Sequence, residues 1–298
     1  MNSGQSKMQD VLIATDFSTR SDRALRRATL LAQMTSSRLT ILHAVDDDQP
    51  IRLLEAEKQE AMRLLSALAA TVEQADKVSC EVDVALGDPF QAIVETAEKL
   101  DSKLIVIGPH RRDLLRDIFI GTTAERTIRN SSRPIVMANA MPSGQYQRIV
   151  AATDFSDCSA NAILTAKSLG LFDSAKVTAI HAFDSAAKGM LRRASVSNDV
   201  LLEYEEEEAQ LAATEMQQFF AKIDFKPDKQ ITPPIKSTAA DLIQSCARTE
   251  SADLIVIGTQ GKSTLKRLFL GSVASELLSE SKVDVLAVPF GNKSLQTN

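Results

Sequence analysis

Short aliphatic runs alternate with stretches of helical periodicity along the whole chain. Residues 11–15 form an apolar run of strand length, and residues 21–34 then carry Ala24, Leu25, Ala28, Leu31 and Ala32 at helical spacing. A second strand over 39–45 leads into an amphipathic helix over 51–72, with Ile51, Leu54, Ala61, Leu65, Leu68 and Val72 on or near one face. Residues 78–86 alternate in part and read as a third strand. Gly87-Asp88-Pro89 then turns the chain into another helix, with proline near the first helical position, where its missing N–H is no loss. The run Leu-Ile-Val-Ile at 104–107 is too aliphatic for a strand with one wet face and predicts burial on both sides. A helix over 122–130 and a strand over 134–138 complete the series; a proline opening that strand suits an edge. The same order is predicted again over 149–153, 159–169, 177–183, 200–220, 230–236, 239–248, 254–257, 272–279 and 283–288.

The recurrence is literal as well as periodic. Ala14-Thr15-Asp16-Phe17-Ser18 returns 138 positions later as Ala152-Thr153-Asp154-Phe155-Ser156, and His43 returns as His181 at the same spacing. Leu104 to Gly108 returns 150 positions later as Leu254 to Gly258, so the second half carries 12 extra residues. They fall around 184–199, a stretch with an Arg192-Arg193 pair that reads as an exposed loop. The chain is a duplication, with one domain over 1–142 and another over 143–298. Strand–helix alternation predicts an α/β fold: two tandem Rossmann-like domains, each a five-stranded parallel sheet of order 3-2-1-4-5 with helices on both faces. On such a sheet ligands bind beyond the C-terminal strand ends where the order reverses. That puts the ends of strands one and four face to face, and in the second half sets Asp154 opposite Gly258.

Composition narrows the function classes. At 298 residues, 44% hydrophobic and 24% charged, the chain has an ordinary globular make-up. A net charge of −5 argues against general nucleic-acid binding, whose phosphate contacts need a basic face. A single bound nucleotide needs only local donors. Cys80, Cys158 and Cys246 form no C-x-x-C pair, and His43, His110 and His181 have no ligand spacing, so no metal site is expected. The polar start lacks the apolar stretch of a signal peptide, and no apolar run reaches the ~20 residues that span a bilayer. The expectation is a reduced, cytoplasmic protein with no membrane partner.

Candidate chemistry concentrates between the fourth strand and the last helix of the second half. Gly258-x-x-Gly261 is followed by nine residues and then Gly271-Ser272. The first two glycines would let the backbone approach an anion closely and adopt positive φ. Ser272, at the head of a helix, offers a hydroxyl and exposed N–H groups to the crevice. Singly, Gly258 ends a strand and Ser272 caps its own helix; the three-part spacing at that topological place favours anion binding. Gly261-Lys262-Ser263 has the last letters of a P-loop, but the first glycine of that motif would fall at Val256, inside the strand. Asp16 and Asp154 read as acceptors for a ribose or adenine, as groups that orient a metal-bound phosphate, or as turn formers and helix caps. His43 and His181 lie on apolar strands and read as satisfied core histidines. The acidic run at 203–208 reads as the wet face of a helix whose other face is Leu201, Tyr204, Leu211 and Phe219. Lys262, Lys266 and Arg267 read as solvated residues or as aids to phosphates.

The Thr-Asp-Phe-Ser after strand one, with the G-x2-G-x9-G-[S/T] loop after strand four, resembles the universal stress protein family in its tandem-domain form. The resemblance covers nearly the whole chain. It implies ATP, assisted by Mg, with the loop around phosphates and ribose while the strand-one aspartate and the end of strand two frame the adenine. Position by position it implies Ala152, Thr153, Asp154, Ala182, Ile257, Gly258, Gly261, Lys262, Gly271, Ser272, Val273 and Ala274 as the site.

The first half departs from this pattern. Gly108 and Gly121-Thr122 stand at the right distances, but the middle glycine is Arg111. Thr122-Thr123-Ala124-Glu125 makes a capping box that satisfies its helix end internally. Weak or no ATP binding is expected there, although His110, Arg111, Arg112 and Arg116 could attract an anion. Gly87-Asp88-Pro89 becomes Ser237-Thr238-Ala239, so the two exit loops should differ in shape. The expected function is a stress-response regulator or sensor with nucleotide in the C-terminal domain and unidentified regulatory protein partners. As in family dimers, the fifth strands are expected to pair across a pseudo-twofold into an internal pseudo-dimer; a further homodimer stays open. No general base is apparent, so at most slow ATP hydrolysis is expected. A nucleotide hydrolase, and a binding module for an apolar or conjugated metabolite between the long helices, stand as rivals.

Overall fold

The computed structural model describes residues 10–109, 122–183, 197–235, 237–261 and 270–290. Most of the 184–199 insertion lies outside the described residues, as do His110, Arg111, Arg112, Arg116, Gly121, Lys262, Ser263, Lys266 and Arg267. In the first half, β1 (Asp10–Ala14), β2 (Arg38–Val45), β3 (Cys80–Leu86), β4 (Leu104–Ile107) and β5 (Ile135–Met137) alternate with α1 (Thr19–Thr35), α2 (Ile51–Asp76), α3 (Pro89–Lys99) and α4 (Thr123–Asn130). The second half has β6 (Arg148–Ala152), β7 (Lys176–Ile180), β8 (Lys229–Ile231), β9 (Leu254–Gly258) and β10 (Asp284–Val288). Its helices are α5 (Asp157–Ser168), α6 (Asn198–Lys222), α7 (Ala239–Thr249) and α8 (Ser272–Glu280).

Across the sheet the order is β3-β2-β1-β4-β5-β10-β9-β6-β7-β8. Each half keeps the order 3-2-1-4-5 with parallel neighbours, and β5 meets β10 antiparallel, Val136 opposite Leu286. The two sheets are therefore one. This corrects the edge expected at Pro134: β5 is interior. The proline stands just before the strand, where its missing N–H breaks no ladder bond and its carbonyl accepts from Ile105 N–H at 3.0 Å.

Alternation along the strands divides the side chains between two cores. Val11, Ile13, Ile41, Val106 and Val136 pack with α1 and α2, while Leu12, Leu42, Ile105, Ile107 and Ile135 pack with α3 and α4; the second half repeats the division. Burial on both faces explains the aliphatic strands, each such side chain contributing about 1.5–3 kcal/mol. The long helices overrun this support. A 26-residue α2 is about 39 Å long, against about 26 Å for the eight residues of β2. Ile51, assigned to the apolar face by periodicity, is accordingly 73% exposed, and burial along α2 begins at Ala61. On α6 the predicted Leu211 is likewise exposed, and Leu201, Ala212, Met216, Phe219 and Phe220 are the buried positions. Among the described residues no helix is long and apolar enough to cross a membrane.

A buried polar cluster ties the halves together beside the β5–β10 seam. Arg27 Nε of α1 donates to Asp284 Oδ2 at 2.7 Å, and another guanidinium N–H donates to the Gly144 carbonyl at 2.8 Å. The Tyr146 hydroxyl donates to the same carboxylate oxygen at 2.8 Å, and Ala140 N–H donates to Oδ1 at 2.9 Å. The guanidinium lies 4.1 Å over the Tyr146 ring. Burial pushes the Asp284 carboxyl above its ordinary range, opposed by the charge of Arg27 and by these donors.

Candidate functional site

The turn from β6 into α5 forms one wall of the site. Phe155 takes a left-handed conformation, φ 62°. Asp154 Oδ1 accepts from Ser156 N–H at 3.1 Å and from Ser156 Oγ at 2.5 Å. Ser156 caps α5, its hydroxyl oxygen accepting from Ser159 N–H at 3.2 Å. Thr153 Oγ1 accepts from Phe155 N–H at 2.9 Å and lies 2.9 Å from Ser159 Oγ, so this side chain braces the turn. The two readings of Asp154 therefore coexist: one oxygen builds the turn, and the other lies beside Gly261, where an added Cβ would sit 3.0 Å from it.

His181 corrects the sequence reading. Its Nδ1 is 2.8 Å from the Thr153 carbonyl, which can only accept, so that nitrogen carries a proton. The ring stacks on Phe155 with centroids 4.0 Å apart. It is satisfied on this side, but it is half-buried and lines the cleft instead of the core. Its repetition with His43 at the C-terminal end of the second strand was the available signal.

The cleft has a volume of about 390 Å³. Ala152, Thr153, Asp154, Ala182, Ile257, Gly258, Gly261, Gly271, Ser272, Val273 and Ala274 all line it; Lys262 is outside the described residues. Ser159, Ile180, Ala239, Ile243, Thr259 and Gln260, with His181, complete the wall beyond the expected residues.

The glycines act through space and not through φ. Among the described residues only Gly87, Gly144 and Gly170 are glycines with positive φ, which corrects the expectation for Gly258 and Gly261. A Cβ at Gly258 would lie 2.7 Å from Cys158 Sγ and 3.1 Å from the Cys158 backbone, because the end of β9 presses on the first turn of α5. Ser272 is the first residue of α8 and not its cap. Gly271 holds the cap position, makes no side-chain bond, and donates its N–H to the Thr259 carbonyl at 2.8 Å. The N–H groups of Ser272, Val273 and Ala274 thus have no acceptor within α8 and belong to residues lining the cleft.

The first half forms a matching cleft of about 420 Å³. Phe17 again has a left-handed φ, 56°, Asp16 Oδ1 accepts from Ser18 N–H at 3.0 Å, and His43 Nδ1 lies 2.8 Å from the Thr15 carbonyl. Arg20 stands where the second half has Cys158 and pairs with Asp16 at 3.5 Å. Burial pushes the Asp16 carboxyl up, but the Ser18 and Ser21 donors and the Arg20 charge outweigh it and hold the group below its ordinary range. Thr122 caps α4, its hydroxyl accepting from Glu125 N–H at 3.1 Å. The buried Glu125 carboxylate pairs with Arg129 at 2.5 Å. In the exit loops Gly87 has φ 107° and donates to the Val45 carbonyl where the second half has Ser237, while the helix cap is shared: Asp88 accepts from Phe90 N–H and Thr238 from Asp241 N–H. Among the described residues no three His, Cys, Asp or Glu side chains are grouped to hold a metal.

The family model of the universal stress protein family matches residues 7–139 and again residues 145–289. Universal stress protein E of Salmonella typhi is 22% identical over 304 aligned residues, covering 94% of this chain and 94% of its own. A universal stress protein of Methanocaldococcus jannaschii is 33% identical over 144 residues, 48% of this chain and 82% of its own. Among solved structures, a universal stress protein from Archaeoglobus fulgidus has the same fold, with a TM-score of 0.68 at 18% identity over 95% of this chain and 98% of that one. With both halves matched and the fold shared end to end, the chain belongs to the universal stress protein family, as a tandem two-domain member.

Proposed function

We propose that the C-terminal cleft binds ATP together with Mg²⁺, and that the protein is a cytoplasmic, nucleotide-responsive regulator or sensor in the stress response. One observation carries this reading: the open N–H groups at the head of α8 share a cleft with the Asp154 carboxylate. Helix N–H groups and the partial positive charge behind them suit phosphates, and a carboxylate suits the hydroxyls of a ribose. Ile180, Ala182, Ile257 and Ile243 offer an apolar bed for a base. Mg²⁺ keeps most of its waters and needs few protein ligands, so it would arrive with the phosphates it neutralises. Asp154 has one oxygen engaged by Ser156 and the other beside Gly261, an arrangement unsuited to a general base, so hydrolysis would be slow at most. The three free cysteines suit a reducing compartment. Calorimetric titration of Mg-ATP into wild type and Gly261→Arg tests the reading. A side chain at 261 meets Asp154 at once, and affinity should fall at least about tenfold, the equivalent of about 1.4 kcal/mol. Equal affinity in the two proteins would remove the cleft from consideration.

A further inference from the structure

We propose that the furrow between the two halves is a binding site for a small zwitterion, of the class of a free aliphatic α-amino acid. It has a volume of about 360 Å³ and shares no lining residue with either cleft, so nucleotide binding plays no part in it. Both halves build its walls: Met34 and Thr35 at the end of α1, Lys103 just before β4, and Leu169, Leu171 and Asp173 just after α5. Thr35 and Asp173 are equivalent positions, 138 residues apart, so the furrow lies where the same loop of each copy meets the other.

Two opposite charges line this furrow unpaired. Among the described residues the half-buried Lys103 ammonium has neither a hydrogen bond nor an ion pair, and burial pushes it below its ordinary range. The Asp173 carboxylate is free as well, and the two form no ion pair although both line one cavity. A partly buried charge costs stability unless it is paired. The other half shows the paired alternative. Asp253, the counterpart of Lys103, is engaged by Gln147 N–H at 2.7 Å and by Arg148 N–H at 3.1 Å, and so fastens the chain before β6. The Lys103 side chain has no such structural use.

Gly170 positions the acid. Its φ of 72° turns the chain back after α5, and an added Cβ would lie 3.2 Å from Asp173 Oδ2, so the carboxylate is folded against the helix end. α1 and α5 both end at the furrow, and the partial negative charge of two helix C-termini adds to that of Asp173. An ammonium is therefore drawn to Asp173 and the helix ends, and a carboxylate to Lys103. A ligand with a single charge would satisfy one of these groups and leave the other alone. Met34, Leu169 and Leu171 give the furrow an apolar floor, which suits an aliphatic side chain.

The experiment titrates the full chain calorimetrically with three probes: leucine, isocaproate, which lacks the ammonium, and leucinamide, which lacks the carboxylate. Leucine should bind wild type, and each analogue should bind at least about tenfold more weakly. Lys103→Met keeps the apolar stem of the side chain and removes its charge, and leucine should weaken at least about tenfold. Asp173→Asn, at an exposed position, should have an effect of similar size. If Lys103→Met does not fold, as judged by circular dichroism, Asp173→Asn and the three wild-type titrations decide. No leucine binding at millimolar concentration, an analogue that binds as tightly as leucine, or leucine affinity unchanged in Asp173→Asn or in folded Lys103→Met would overturn the proposal. Leucine and isocaproate weakened alike by Lys103→Met, with neither affected by Asp173→Asn, would make the furrow a simple anion site and overturn it too.

Discussion

Arg20 and Cys158 occupy the same place in the two halves, on the first turn of the helix that follows the Asp-Phe-Ser turn. One reaches into its cleft and pairs with the aspartate; the other is buried behind the cleft wall, against Gly258, where burial pushes its thiol up. The pairs Thr122 and Ser272, and Glu125 and Ser275, diverge in the same way on the first turns of α4 and α8. Everything under these residues is held in common: strand order, the left-handed phenylalanine, the histidine on the first-strand carbonyl. Duplication has preserved the scaffold, and the two clefts differ in the side chains at the starts of their helices. The seam between the halves is asymmetric too. Arg27 and Asp284 have Thr165 and Pro134 as their counterparts, so the buried ion pair exists on one side of the pseudo-twofold alone.

That asymmetry gives the largest expected effect. Asp284→Ala leaves Arg27, only 3% exposed, without its counter-charge, and breaking a buried pair costs about 3–5 kcal/mol. Thermal or urea denaturation should show the loss, and Arg27→Met combined with Asp284→Leu should recover much of it, because both desolvated charges are then gone. A melting temperature unmoved by Asp284→Ala would mean that strand pairing alone holds the halves together.

A smaller effect separates the two glycines that end the fourth strands. Gly258→Ala puts a Cβ 2.7 Å from Cys158 Sγ, an overpacking that costs about 1–3 kcal/mol. Adding Cys158→Ala removes the sulfur but leaves the 3.1 Å backbone contact, so recovery should be partial. At Gly108 the nearest atoms belong to the Arg20 backbone, the carbonyl oxygen at 3.0 Å, so Gly108→Ala should gain nothing from Arg20→Ala. Double-mutant cycles read the difference directly. Equal coupling in the two halves would show that the helix moves away from either glycine, whatever side chain it carries.

Much of this was legible in the sequence because the chain states its pattern twice. Periodicity locates the strands, the aliphatic runs announce burial on both faces, and topology then sends Asp154 and Gly258 to the same crevice. Local capping was legible at Thr122 as well, since it acts within three residues of itself. What escaped depends on contacts between distant positions. The need for glycine at 258 comes from a helix residue 100 positions earlier, and Arg27 finds Asp284 across 257 positions. Nor does periodicity alone mark the overhang of Ile51, because it reports which face is apolar and not how far the support extends. His181 was misjudged for a related reason: an apolar strand buries its middle, but its last residues emerge at the ligand end of the sheet.

The smallest effect concerns the two aspartates, whose turns are built alike; beside Asp16 stands the Arg20 guanidinium. Burial raises the Asp16 carboxyl, yet Ser18, Ser21 and Arg20 together bring it below its ordinary value. A carboxyl depressed in the folded state adds stability that is complete above the unfolded aspartate pKa, about 3.9, and that is lost as pH falls through the lower folded value. The side chain is 63% exposed, so solvent and salt screen the contribution and the stability change should be slight. The titration itself is the sharper readout. Carbon-detected NMR should place the Asp16 midpoint below that of a model peptide, and Arg20→Ala should move it part of the way back while leaving Asp154 untouched. A midpoint indifferent to Arg20 would assign the whole depression to the serine donors, which both halves share, and would remove the Asp16–Arg20 pair from the list of differences between the clefts.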